Sequence, residues 1–150
     1  MLGVVGKPID ILLVEDNPGD VRLIQEAFKD GKIRNNLYIV HDGVEALSFL
    51  HRRDSFSGVP RPDLILLDLN LPKKDGREVL EEIKYETDLQ RIPVVILTTS
   101  RADQDILQSY DLHANCYIPK PVDPNEFIHV IRSIESFWLT VVKLPGLNHE

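Results

Sequence analysis

Short apolar runs recur along the chain at 9–14, 37–40, 63–67, 92–97 and 115–118. They are mostly unbroken rather than alternating, and each is bounded by turn residues, which marks strands buried on both faces. Between them the apolar positions change to a helical period: Val21, Ile24, Ala27 and Phe28, then Val44, Leu47 and Leu50, then Val79, Leu80 and Ile83. The turn Asn17-Pro18-Gly19-Asp20 precedes the first helix, with Asp20 placed to cap it and Gly31 to stop it. Asp42-Gly43 turns into the second, whose inward face is expected to carry Val44, Leu47 and Leu50. A fourth helix is expected from a cap at Ser100 through about Leu112. Asp123-Pro124-Asn125-Glu126 opens a last one, with a cap, a proline at the first helical position and a glutamate at the third.

Strands alternating with helical segments predict an α/β fold, (βα)5, doubly wound, with a parallel five-stranded sheet covered on both faces. At 150 residues the chain reads as one domain. The boundaries expected are a flexible N-terminus over 1–8, the domain over 9–143 and a tail over 144–150. In an open parallel sheet the carboxyl ends of the strands share one rim, where ligands bind.

Composition narrows the function classes. The net charge is −7, which argues against nucleic acid as a direct partner, since that binding needs a basic surface. With one cysteine, Cys116, no internal disulfide can form; the residue reads as small core filler. No apolar run approaches the length of a membrane span, so no membrane is expected, and the chain reads as cytoplasmic.

The chemistry is concentrated at strand ends. The first run ends in Glu15-Asp16, the third in Asp68, the fourth in Thr98-Thr99 and the fifth just before Lys120. Carboxylates brought together repel and raise a pKa unless a cation joins them. An all-oxygen cluster with few ligands suits Mg²⁺, which binds one or two carboxylates and a phosphate oxygen. The histidines 41, 51, 113, 129 and 149 have no zinc-like spacing. A phosphate oxygen on such a metal points to phosphoryl chemistry, with a carboxylate as nucleophile and an ammonium, Lys120, and a hydroxyl, Thr98, to receive the charge. Each residue alone has a plainer reading. Glu15 and Asp16 suit a helix N-terminus, Thr98 suits a strand, and Tyr117 suits a half-buried core.

The acidic pair Glu15-Asp16, Asp68 within Leu66-Leu67-Asp68-Leu69-Asn70-Leu71-Pro72, the Leu97-Thr98-Thr99 end and Lys120-Pro121 together resemble the receiver domain of two-component response regulators. The resemblance covers about residues 9 to 135 and implies the flavodoxin-like receiver fold. It implies that Asp68 accepts a phosphoryl group from a histidine kinase. It implies that Glu15, Asp16, Asp68 and the backbone carbonyl of Asn70 hold Mg²⁺, and that Lys120 contacts the phosphoryl group. Thr98 and Tyr117 would form the switch pair, Asn70 and Ser100 would tune the lifetime of the phosphorylated state, and the Lys120–Pro121 peptide would be cis. The stretches Leu69-Asn70-Leu71-Pro72-Lys73-Lys74-Asp75-Gly76-Arg77-Glu78-Val79-Leu80 and Ile134-Glu135-Ser136-Phe137-Trp138-Leu139 are similar to the small response regulators that partner cyanobacterial phytochromes.

The expected function is therefore a stand-alone response regulator of a two-component phosphorelay, a phosphoacceptor downstream of a phytochrome-type light-sensing kinase. It is not an enzyme beyond its own phosphotransfer and dephosphorylation. A haloacid dehalogenase-type phosphatase also uses a strand-end aspartate. That family carries an aspartate two residues beyond the nucleophile, where Asn70 stands here. A degenerate receiver that binds a partner without phosphorylation is disfavoured, because the acceptor, metal and lysine positions are all filled. The last helix can run to about Lys143, about 30 Å for about twenty residues, more than is needed to cover a sheet. The apolar residues Phe137, Trp138, Leu139 and Val142 there, with Tyr117 nearby, predict a homodimer through an extended C-terminal helix.

Overall fold

The computed structural model describes residues 8–31, 34–98 and 116–136, without the side chains of 116, 117, 135 and 136. The elements are β1 (Ile9–Val14), α1 (Pro18–Lys29), β2 (Asn35–Val40), α2 (Gly43–Leu50), a single 3₁₀ turn (Asp54–Phe56), β3 (Leu64–Asp68), α3 (Gly76–Tyr85), β4 (Val94–Thr98), β5 (Cys116–Pro119) and α4 (Pro124–Ser136). The helix expected from Ser100 to Leu112 lies outside the described residues.

All strands are parallel, in the order β2-β1-β3-β4-β5. The order reverses beside β1 and β3, and that switch point puts a crevice at their carboxyl ends. β3 and β4 are buried along their whole length, and β1 nearly so. That burial on both faces is why these runs are continuously apolar. Alternate residues serve opposite layers. Leu12, Val14, Ile65, Leu67, Val94 and Ile96 pack with α2 and α3, while Ile11, Leu13, Leu64, Leu66, Val95 and Leu97 pack with α1 and α4.

The helix starts follow local capping chemistry. In α1 the cap is Asn17, not Asp20: Asn17 Oδ1 accepts from the Asp20 N–H at 3.0 Å. Pro18 occupies the first helical turn, so the helix starts before Asp20 and frees that carboxylate for another partner. Asp42 caps α2, accepting from the Glu45 N–H at 2.8 Å. Val44 is exposed there rather than inward, because the buried stripe runs through Gly43, Ala46, Leu47 and Leu50. Gly43 lies against the Lys74 backbone so closely that a Cβ would collide with its carbonyl. A reciprocal Asp75–Glu78 capping box opens α3. Asp123 Oδ1 accepts from the Asn125 N–H at 2.8 Å before α4.

Strand boundaries differ from the apolar runs where pairing outweighs composition. β2 begins at Asn35, which pairs with Ile9 across an edge that tolerates polar side chains. β4 begins after Pro93, which has no N–H to give the ladder. Among the described residues there is no cis peptide, so Lys120–Pro121 is trans, against expectation. The trans form of an X–Pro bond is preferred by about 0.5–1 kcal/mol, and with it the Lys120 N–H still donates to the Thr98 carbonyl at 2.7 Å. Among the described residues no helix is long and apolar enough to cross a membrane.

Candidate phosphoacceptor and metal site

β1 and β3 are adjacent in the sheet, with Val14 opposite Leu67. This register brings the residues that follow, Glu15-Asp16 and Asp68, to one rim. Glu15, Asp16 and Asp68 each offer a carboxylate oxygen within 4.8 Å of the others. Their burial differs: Glu15 and Asp68 are buried, and Asp16 is exposed. The cluster thus has a dry side against the sheet and a wet side facing solvent.

Lys120, the residue after β5, reaches into this cluster. Its Nζ donates to Glu15 Oε1 at 2.8 Å, Asp20 Oδ2 at 2.9 Å and Asp68 Oδ2 at 3.2 Å. Its side chain is only 5% exposed. Burial alone would lower the Lys120 pKa; the hydrogen bond to Glu15 and the charges of Asp68 and Glu15, with the bond to Asp20, outweigh burial and raise it. Glu15 is pushed from about 4.5 up to about 8, chiefly by burial, then by the hydrogen bond and charge of Asp68, with Lys120 opposing. A carboxyl so shifted holds a proton where a cation can replace it.

The flanking loops fix this geometry. Asp68 Oδ1 accepts from the Asn70 N–H at 3.1 Å, which orients the carboxylate. A Cβ on Gly76 would come within 2.5 Å of the Asp68 carbonyl oxygen, so only glycine lets α3 start this close to the rim. Glu15 Oε2 accepts from the Asn17 N–H at 3.2 Å, and the Glu15 carbonyl is 3.2 Å from His41 Nδ1. Asp16, Asn17, Pro18, Asp20, Asp68, Asn70 and Lys120 line an open polar cleft.

Of the residues singled out in the sequence, Glu15, Asp16, Asp68, Asn70 and Lys120 converge here. Thr98 is buried at the end of β4, one step beyond Leu97, which pairs with Asp68. Tyr117 pairs with Ile96 through its backbone in β5, and its side chain lies outside the described residues. Ser100, Phe137, Trp138, Leu139 and Val142 lie outside them too. Sequence reasoning missed Asp20 as a member of the site. Its one signal was an acid in the first turn of α1, close after Glu15-Asp16.

The donor set is all oxygen and fits a hard divalent cation with water and phosphate completing its shell. Among the described residues one ammonium, Lys120, serves three carboxylates here, which leaves the rim short of positive charge, as a site for such a cation requires.

Comparison with known proteins agrees with this geometry. A profile of the response regulator receiver domain matches residues 11–132. The response regulator Rcp1 of Synechocystis sp. is 53% identical over 139 residues, covering 93% of this chain and 95% of its own. The crystal structure of the phosphorylated cyanobacterial phytochrome response regulator RcpA is similar with a TM-score of 0.88 and 50% identity, covering 93% of this chain and 99% of that one. The Mn²⁺-bound form of Rcp1 gives a TM-score of 0.87 at 53% identity, covering 92% and 99%.

Proposed function

The chain belongs to the response regulator receiver domain family, and from that membership we propose that it accepts a phosphoryl group from a histidine kinase onto Asp68 in the presence of Mg²⁺. The single observation that carries this reading is Asp68 itself, a buried carboxylate at a strand tip, hydrogen-bonded by both Lys120 Nζ and the Asn70 N–H. A carboxylate oxygen of Asp68 attacks the phosphorus of a phosphohistidine. The O–P bond forms as the N–P bond breaks, and the leaving imidazole nitrogen keeps the electron pair. Lys120 moves with the charge, from the carboxylate to the phosphoryl oxygens. Glu15, Asp16, Asp68 and the Asn70 carbonyl would hold the cation, which supplies positive charge to the phosphoryl oxygens. Burial of Glu15 and Asp68 against the sheet limits water around the acceptor.

Thr98 ends β4, the strand paired with the acceptor strand, and with Tyr117 it forms the switch pair in this reading. Asn70 and Ser100 tune how long the acyl phosphate lasts. The chain turns over no external substrate and catalyses only its own phosphotransfer and dephosphorylation. The names of Rcp1 and RcpA support a phytochrome-type kinase as the donor. A cytoplasmic location follows from such a kinase. In this proposal the domain spans 9–143, between a segment over 1–8 and a tail over 144–150, and a homodimer forms through Tyr117, Phe137, Trp138, Leu139 and Val142.

The test is incubation with acetyl phosphate and Mg²⁺, followed by intact-mass measurement. One phosphoryl group on the wild type and none on Asp68→Asn is expected. Uptake by the Asn variant removes Asp68 as acceptor, and turnover of added phosphomonoesters makes the protein a phosphatase instead.

A further inference from the structure

We propose that Asp20 is a positioning residue for Lys120, the partner that keeps the ammonium when a divalent cation claims Glu15 and Asp68. The proposal rests on the metal reading of the rim and extends it to a residue that is no ligand. Lys120 Nζ has three carboxylate partners in the structure. Two of them, Glu15 and Asp68, belong to the cluster whose oxygens lie within reach of a common cation, and Asp20 does not. A cation entering that cluster and the Lys120 ammonium therefore compete for the same two carboxylates.

The ammonium cannot simply leave. With the Lys120 side chain 5% exposed, a loss of all its partners would strand a buried charge, a far larger penalty than the loss of a surface pair. Asp20 prevents this. Its backbone is fixed by the Asn17 cap at 3.0 Å, so its carboxylate projects from a rigid helix start. That carboxylate is 24% exposed, on the open side of the ammonium, whereas those of Glu15 and Asp68 are buried. Lys120 has a flexible four-carbon stem, and a small pivot toward Asp20 releases Glu15 and Asp68 without losing a charge-assisted hydrogen bond. Removing the Asp20 carboxylate would press the ammonium back onto Glu15 and Asp68 and so weaken the cation's hold.

The test is a double-mutant cycle on the full chain, read as Mg²⁺ affinity by calorimetry at fixed pH and ionic strength. The proteins are wild type, Asp20→Asn, Lys120→Met and the double variant, with Asp16→Asn as a control. Asp20→Asn is expected to weaken Mg²⁺ binding about tenfold when Lys120 is present and less than about threefold when it is Met, since only the first case leaves an ammonium to compete. Equal losses in both backgrounds mean that Asp20 acts as a distant charge and overturn the proposal. An unchanged affinity in Asp20→Asn overturns it too. Asp20→Glu keeps the carboxylate and is expected to stay within about threefold of wild type. A loss equal to that of Asp20→Asn overturns the pivot. If Asp16→Asn leaves Mg²⁺ binding unchanged, the metal reading itself has failed, and that result is separate from any behaviour of Asp20.

Discussion

At the amino ends of the strands, polar groups pair nearly one to one. Asp63 Oδ2 accepts from the Asp10 N–H at 2.9 Å, Arg61 donates to the Asp88 carbonyl at 2.9 Å, and His51 meets Glu86 at 2.7 Å. At the carboxyl ends, Glu15, Asp20 and Asp68 share the one ammonium of Lys120, and Asp16 adds a fourth carboxylate beside them. Both ends belong to the same sheet. The difference shows that the rim's charge excess is not a general property of an acidic chain. Stability alone favours the pairing seen at the amino end. The carboxyl end departs from it where a ligand would complete the balance.

The largest effect expected from disturbing this contrast is at Lys120. Lys120→Met removes the rim's ammonium and is expected to slow Asp68 phosphorylation by acetyl phosphate about a hundredfold, the usual scale for losing one preorganised charge partner. Arg132→Met, which removes an exposed ion pair with Asp30 at 3.2 Å, should leave that rate unchanged. Similar rates for the two variants would erase the distinction between the rim and an ordinary surface pair.

Next comes the layer beneath the rim. Leu66 is fully buried two residues before Asp68. Leu66→Ala is expected to cost about 2–5 kcal/mol in denaturant unfolding, through lost burial and a residual cavity. A cost below about 1 kcal/mol would mean that the sheet relaxes around the hole.

The pH dependence is smaller per unit. Glu15 is raised to about 8 in the folded protein from about 4.5. The folded state therefore holds a proton that the unfolded state gives up. This group's stabilisation is complete below about 4.5 and is lost as pH rises through about 8. In chelator, stability is expected to fall across that window, by at most about 1.4 kcal/mol per pH unit. Asp68→Asn should flatten the slope, since Asp68 contributes to the shift. Urea titrations at several pH values measure it, and a flat profile across that window would show Glu15 ionised in the folded protein.

The smallest effect belongs to the amino end. Glu86→Gln loosens the half-exposed His51 pair and is expected to cost about 0.5 kcal/mol. His51 Nδ1, the one buried side-chain polar atom with no hydrogen-bond partner among the described residues, already shows that this corner is not tightly optimised. A cost above about 2 kcal/mol would make the amino end as demanding as the rim.

Much of this was legible in the chain itself. The runs at β1, β3 and β4 are apolar without a break because both faces are covered, and that reads directly as a parallel sheet. Asp68, Glu15-Asp16 and Lys120 could be placed at one rim because each ends such a run. Asp20 was misread, since a capping acid and a long-range ion-pair partner look alike at a helix start; only the fold brings Lys120 to it. Val44 was misassigned because α2 is short and glycine rather than valine faces the Lys74 backbone. The trans Lys120–Pro121 bond rests on a preference too small for sequence to decide. The ends of β2 and β4 were set by pairing partners far along the chain.

The reach of Lys120 also bears on how the chain folds. Glu15 and Lys120 are 105 positions apart, and Glu15 directly follows the first strand. Pairing β1 with β3 alone gathers carboxylates without their ammonium. Until β5 docks, those carboxylates repel or take up protons. Closing so long a loop is slow compared with forming a helix or a neighbouring pair. Docking of β5 completes the sheet edge and brings the ammonium to these carboxylates. The rim is complete only with β5 in place, since a sheet without that strand lacks Lys120 beside Glu15 and Asp68.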